Sequence, residues 1–144
     1  MTEPFVHSRP YTIEWGDCDP AGIVWNPRFF GLFDGATVAL FTAALGMKKA
    51  EMLKTYGSAG YPLVETRAVF HAPCRFGDEV RIDSMVTAFR RSSFDITHRL
   101  FLGDTLAVEG FETRVWVGRD PADPERIRAR PIPTDVIERF SRAK

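Results

Sequence analysis

One segment dictates most of what this chain can become. From Asn26 to Gly46 the sequence reads as a helix, with Asn26 suited to the N-cap, Pro27 to the first helical position and Gly46 to the stop. Its apolar residues, among them Phe29, Phe30, Leu32, Phe33, Val38, Leu40, Phe41 and Leu45, form no single stripe and run nearly all the way round. A helix apolar on every side is buried on most sides. Standing alone, it needs a sheet curled about it.

The rest of the chain supplies strands. Residues 1–10, with Pro4 and Pro10, read as a loose arm, and 11–15 as a short strand. A short helix follows over 48–56. Strands are expected over 64–71, 80–88, 94–100 and 106–117, with Gly103-Asp104 as a hairpin turn. Apolar parity flips at Glu109-Gly110, which predicts a bulge at Gly110. An edge strand over 127–132 and a helix over 134–140 complete the order. One helix followed by consecutive antiparallel strands is an α+β pattern. A long central helix wrapped by a curved antiparallel sheet of about five or six strands is the hot-dog fold, here a single domain over 1–144. The sheet edges and uncovered helix face predict a dimer with continuous sheet.

Composition removes several function classes. Nineteen basic and nineteen acidic side chains cancel, which disfavours a nucleic-acid partner. Cys18 and Cys74 are too few for a disulfide framework. No apolar stretch approaches the roughly 20 residues of a membrane span, and the N-terminus lacks the pattern of a signal peptide, so no membrane partner and a cytoplasmic location are expected. His7, His71 and His98 are scattered without metal-ligand spacing, so no metal is expected. His98, on an apolar strand face, reads as a core histidine.

Chemistry concentrates in Trp15-Gly16-Asp17-Cys18-Asp19-Pro20-Ala21-Gly22-Ile23-Val24-Trp25-Asn26-Pro27. This loop places carboxylates just ahead of a helix N-terminus, where free N–H groups and about half a positive charge polarise a carbonyl. A carboxylate there can attack a carbonyl or activate water, and both aspartates can equally cap turns. The flanking carboxylates make Cys18 a poor nucleophile. Asp34, on the helix, either accepts a hydroxyl from a polar substrate or makes a structural bond. Arg90 and Arg91 suit a polyphosphate or form a solvated turn.

The segment from Gly16 to Pro27 resembles the 4-hydroxybenzoyl-CoA thioesterases of the hot-dog superfamily, in the branch patterned Gly-Asp-Cys-Asp-Pro-Ala-Gly-Ile-Val-Trp-x-Pro. Every fixed position is present. Phe89-Arg90-Arg91-Ser92-Ser93-Phe94 is similar to that branch's Trp-Arg-Arg-Lys-Ser-Phe. The resemblance implies Asp19 as catalytic carboxylate and the Asn26 backbone N–H as oxyanion donor. It further implies that Arg90 and Arg91 contact the CoA nucleotide, with the Ser93 hydroxyl standing in for the missing basic residue; Trp25 and Asp34 complete the substrate-binding candidates, and no cofactor is expected, CoA being part of the substrate. Three departures stand out: Asn26 where the family has an aromatic or histidine, Ser92 where it has a basic residue, and divergence over 47–62. The reading is an aromatic acyl-CoA thioesterase assembled as a dimer of dimers. An aliphatic acyl-CoA or carrier-protein thioesterase, and a non-catalytic acyl-CoA binding protein of the same fold, are the alternatives.

Overall fold

In the computed structural model, which describes residues 2–143, the helix runs over Asn26–Leu45 as α1. Trp25 holds the N-cap position, one residue earlier than expected, and Asn26 and Pro27 open the first turn. Proline is harmless there because the first-turn N–H groups have no intrahelical partner to lose. Gly46 ends the helix in the left-handed region, φ 69°, with its N–H on the Thr42 carbonyl at 2.9 Å.

The remaining elements are β1 (Thr2–Pro4), β2 (His7–Thr12), α2 (Lys49–Tyr56), β3 (Leu63–Phe70), β4 (Glu79–Phe89), β5 (Ser93–Leu102), β6 (Thr105–Val115), β7 (Val117–Asp120), β8 (Asp123–Ala129), α3 (Thr134–Arg139) and β9 (Ser141–Ala143). Five strands form the main antiparallel sheet in the order β2-β4-β5-β6-β3, while β1 pairs with β9 and β7 with β8. One long helix on a five-stranded antiparallel sheet is the α+β hot-dog architecture.

Four expectations need correction. The arm over 1–10 is not loose: most of it is β1 and β2, and β2 tolerates Pro10 because it is an edge strand. The strand expected over 11–15 stops at Thr12, and Trp15–Asp17 form a 3-10 turn. The bulge in β6 is not at Gly110. Register shifts where Leu100 pairs with Val108 and Phe101 with Leu106, so Ala107 is the extra residue. By length and composition α1 is also apolar enough to cross a bilayer, contrary to expectation; half of it is instead buried in the fold.

The bulge decides which face of β6 looks inward. Beyond it, Gly110, Glu112 and Arg114 face α1, while Phe111 turns outward beneath the Arg67 guanidinium at 4.0 Å. Gly110 is required by close approach: a Cβ there would stand 2.5 Å from the Phe33 ring.

The core is therefore divided. Phe29, Leu32, Phe33 and Ala36 pack on Ile82, Leu100 and Val108 at one end, and Leu40, Phe41 and Leu45 pack on Phe94, Trp116 and Phe140 at the other. Between them lies a buried polar belt. Thr37 donates to Glu112 Oε1 at 2.7 Å, and its oxygen lies 3.1 Å from His98 Nε2. Ser84 Oγ is 2.7 Å from His98 Nδ1, and Arg114 Nε donates to Glu112 at 2.8 Å. His98 Nε2 also lies 3.3 Å from Glu112 Oε2, so each of these groups has a partner. Phe33 stacks on the imidazole at 5.0 Å. Burial alone would raise the Glu112 pKa, but hydrogen bonds from His98 and Arg114 outweigh it and hold the carboxyl at about 2.

Gly110→Ala should lower stability by about 1–3 kcal/mol in denaturant titration, because the Phe33 ring has to move. The depressed Glu112 pKa makes its contribution complete above the ordinary glutamate value of 4.5, and that contribution drains as pH falls toward about 2. Glu112→Gln should cost about 3 kcal/mol at neutral pH by leaving Arg114 without its buried partner. Thermal melts from pH 7 to 2 should show the gap between wild type and Glu112→Gln narrowing in acid.

Candidate functional site

The loop before α1 is braced by one carboxylate. Asp17, 3% exposed, accepts from the Tyr11 hydroxyl at 2.7 Å, the Glu14 N–H at 2.8 Å and Arg28 Nε at 2.6 Å. Its carbonyl accepts the Trp25 N–H at 3.0 Å. Burial pushes the Asp17 pKa up, the bonds from Arg28, Tyr11 and Glu14 pull it down, and the net shift is downward. Asp17 thus ties β2, the 3-10 turn and the first turn of α1 together.

Asp19 is placed differently. Cys18 bridges to Val24, the Asp19 N–H donates to the Ile23 carbonyl at 2.9 Å, and the Asp19 carbonyl accepts the Gly22 N–H at 2.9 Å. One carboxylate oxygen, Oδ1, accepts the Ala21 N–H at 2.8 Å. The other has no protein partner among the described residues, and the side chain is half-buried. The Asn26 N–H stands at the open end of α1, where no acceptor within the helix reaches it.

A cavity of about 240 Å³ opens at this helix end. Asn26, Ile23, Phe29, Phe70, His71 and Cys74 are among its walls. Ile23, whose carbonyl accepts the Asp19 N–H, lines this cavity; Asp19 itself is not among its walls. His71 was not singled out as a site residue by sequence. It follows β3, and its Nε2 lies 3.0 Å from Glu109 Oε1 on β6. No spacing rule links His71 to Asn26; only the return of the edge strand past the helix start brings them to one cavity. A larger depression of about 360 Å³, lined by Glu65, Arg67, Asp95 and Thr113, contains none of the expected site residues.

The other expected residues lie outside this cavity. Trp25 is the exposed N-cap and does not line it. Asp34 is not a lone carboxylate among phenylalanines: its side chain is 65% exposed and accepts from Arg114 Nη2 at 2.7 Å. Arg90 is committed to Asp95 through bonds of 2.7 and 3.0 Å, and its Nε donates to the Ser93 hydroxyl at 2.7 Å. That pairing lowers the Asp95 pKa. Arg91 is exposed, and its guanidinium has no partner among the described residues.

This Arg90–Ser93 hairpin lies beside the C-terminal half of α1. Phe89 packs on Phe140 at 5.7 Å, and Phe140 packs on Phe41 at 4.7 Å. Asn26 is fifteen residues before Phe41, about 22 Å along the helix axis at 1.5 Å per residue. Within one chain, then, the hairpin and the cavity occupy opposite ends of α1.

Neither cysteine is an activated nucleophile. Burial, then Asp17, Asp19 and Asp78, raise the Cys18 pKa, and burial pushes Cys74 up to about 11. Among the described residues no group of His, Cys, Asp and Glu is placed to hold a metal.

Comparison with known proteins gives this geometry a setting. The chain is 34% identical over 131 residues to the 4-hydroxybenzoyl-CoA thioesterase of Pseudomonas sp. strain CBS-3, covering 88% of this chain and 91% of that one. The solved structure of 4-hydroxybenzoyl CoA thioesterase from the same strain superposes with a TM-score of 0.83 at 32% identity, over 93% of this chain and 98% of the other. A gentisyl-coenzyme A thioesterase superposes with a TM-score of 0.77 at 29% identity, over 91% and 99%. The model of the thioesterase-like superfamily matches residues 13–140, and the chain belongs to that superfamily.

Proposed function

We propose that this protein hydrolyses the thioester of an aromatic acyl-CoA, such as 4-hydroxybenzoyl-CoA, to the free acid and CoA. Its standing as a hydrolase of acyl-CoA thioesters follows from its family and its relatives. The observation that supports the finer reading is a cavity walled by Asn26 at the open N-terminus of α1, fed by the loop in which Asp19 keeps one carboxylate oxygen unbonded to protein among the described residues.

In this reading the thioester carbonyl oxygen sits at the Asn26 N–H, where the helix end stabilises the oxyanion that forms. The free oxygen of Asp19 attacks the carbonyl carbon. The tetrahedral intermediate collapses, the C–S bond breaks with its electron pair on sulfur, and CoA leaves as the thiolate. Water then adds to the aspartyl carbon of the mixed anhydride, because the aryl carbonyl is deactivated by conjugation. This releases the aromatic carboxylate and restores the Asp19 carboxylate; of the two protons that water loses, one goes to the CoA thiolate and the other to solvent. Direct attack is favoured over general-base catalysis because an ordinary carboxylate is a weak base near neutral pH.

The rest of the CoA thioester calls for a second copy. The cavity and the Arg90–Ser93 hairpin lie at opposite ends of one α1, so a homo-oligomer in which one chain offers the cavity and another the hairpin satisfies both. β3 supports such pairing: it is a sheet edge, and Leu63, Val64, Val69 and Phe70 on it are exposed. Arg91 is then the cation available to CoA phosphates, since Arg90 is held by Asp95.

Asp19→Asn should reduce turnover of 4-hydroxybenzoyl-CoA by about three orders of magnitude while leaving thioester binding in place. Unchanged hydrolysis would remove Asp19 from the mechanism, and wild-type preference for long aliphatic thioesters in a substrate panel would move the acyl assignment. A single turnover in oxygen-18 water should give unlabelled product acid and a labelled Asp19 carboxyl; label in the first product overturns the anhydride route.

A further inference from the structure

We infer that His71, oriented by Glu109, recognises a hydroxyl group on the acyl ring and so sets preference for hydroxylated aromatic thioesters. This rests on the reading that the cavity at the start of α1 takes the acyl group. The walls contributed by Ile23, Val24, Phe29 and Phe70 offer a ring apolar contact and no polar side chain. Asp34, read from sequence as either an acceptor for a substrate hydroxyl or a structural bond, is engaged by Arg114 and does not line this cavity. Two residues on its wall carry side-chain hydrogen-bonding groups other than a thiol: Asn26, at the thioester end, and His71.

The chemistry of the His71 ring suits the task. Its Nε2–H donates to the Glu109 carboxylate at 3.0 Å, which fixes the tautomer and the ring orientation. In the neutral ring Nδ1 is then an acceptor, and it has no partner among the described residues. A phenolic O–H entering this cavity loses its water and needs such an acceptor. An unsubstituted ring leaves Nδ1 without a partner and gains nothing from it. Glu109 acts through His71 and is a positioning residue; it sits in β6 opposite Val69 of β3 and Arg99 of β5, on backbone that packing holds in place.

The experiment measures kcat/KM for 4-hydroxybenzoyl-CoA, 3-hydroxybenzoyl-CoA and benzoyl-CoA on the full chain, and reads the ratio of each hydroxylated substrate to benzoyl-CoA. His71→Phe should lower that ratio by about tenfold for at least one hydroxylated substrate, the worth of one hydrogen bond. His71→Asn, whose amide oxygen stands near the position of Nδ1, should retain more of the ratio than His71→Gln, which replaces only the side of the ring facing Glu109. Glu109→Gln should lower the ratio less than His71→Phe and have no further effect on it in the double variant. Thermal melts of each variant separate loss of fold from loss of recognition, and His71→Asn and Glu109→Gln keep the question open to measurement if His71→Phe fails to fold. Ratios unchanged in every folded variant overturn the role of His71 while leaving the thioesterase reading intact. A wild type that hydrolyses none of the three substrates overturns the aromatic reading itself, and this inference with it.

Discussion

The structure depends on a band of buried hydrogen bonds between α1 and three neighbouring strands. Thr37 from the helix, Ser84 from β4, His98 from β5 and Glu112 with Arg114 from β6 meet between two apolar clusters. Apolar packing alone tolerates sliding, because one phenylalanine contact resembles another. Directional bonds do not, since a shift of one residue along α1 would strand several buried polar groups at a cost of about 1–3 kcal/mol each. The belt therefore fixes where along the sheet the helix begins, and with it the position of the Asn26 N–H.

At the front of the helix two aspartates separated by one residue have opposite fates. Asp17 accepts three hydrogen bonds and lies buried, its charge consumed by Arg28 and Tyr11. Asp19 has one bond from Ala21 and an oxygen to spare. The rigidity of the first holds the loop of the second in place, which the proposed attack by Asp19 requires, because a nucleophile on a mobile loop would spend much of its time out of range. The same division recurs on the strands: Arg90 is bound up by Asp95, while Arg91 next to it is free of such a pairing among the described residues.

Local chemistry was legible in the sequence where it is written in adjacent residues. The helix stop at Gly46, the Gly103 turn and the loop feeding α1 all come from residue types whose conformational habits are strong. Features set by distant pairing were not. Phe111, Thr113 and Val115 carry the more apolar parity of β6, yet the bulge at Ala107 sends the charged residues inward, where His98 and Thr37 satisfy them. Periodicity assumes that apolar means buried, and here a polar belt reverses it. Pro10 and Pro4 argued for a loose arm because proline cannot serve a central strand; an edge has room for it. His71 was invisible for a related reason, since its meaning comes from where an edge strand ends in space.

That edge strand has an evolutionary implication. β3 is at once an unpaired margin of the sheet and, through Phe70 at its tip, a wall of the cavity at the start of α1. In the proposed assembly, a change in how a second copy docks on this margin also nudges that wall, which couples subunit pairing to the shape of the cavity. On that reading, a lineage that retunes contacts along β3 reshapes the cavity in the same step.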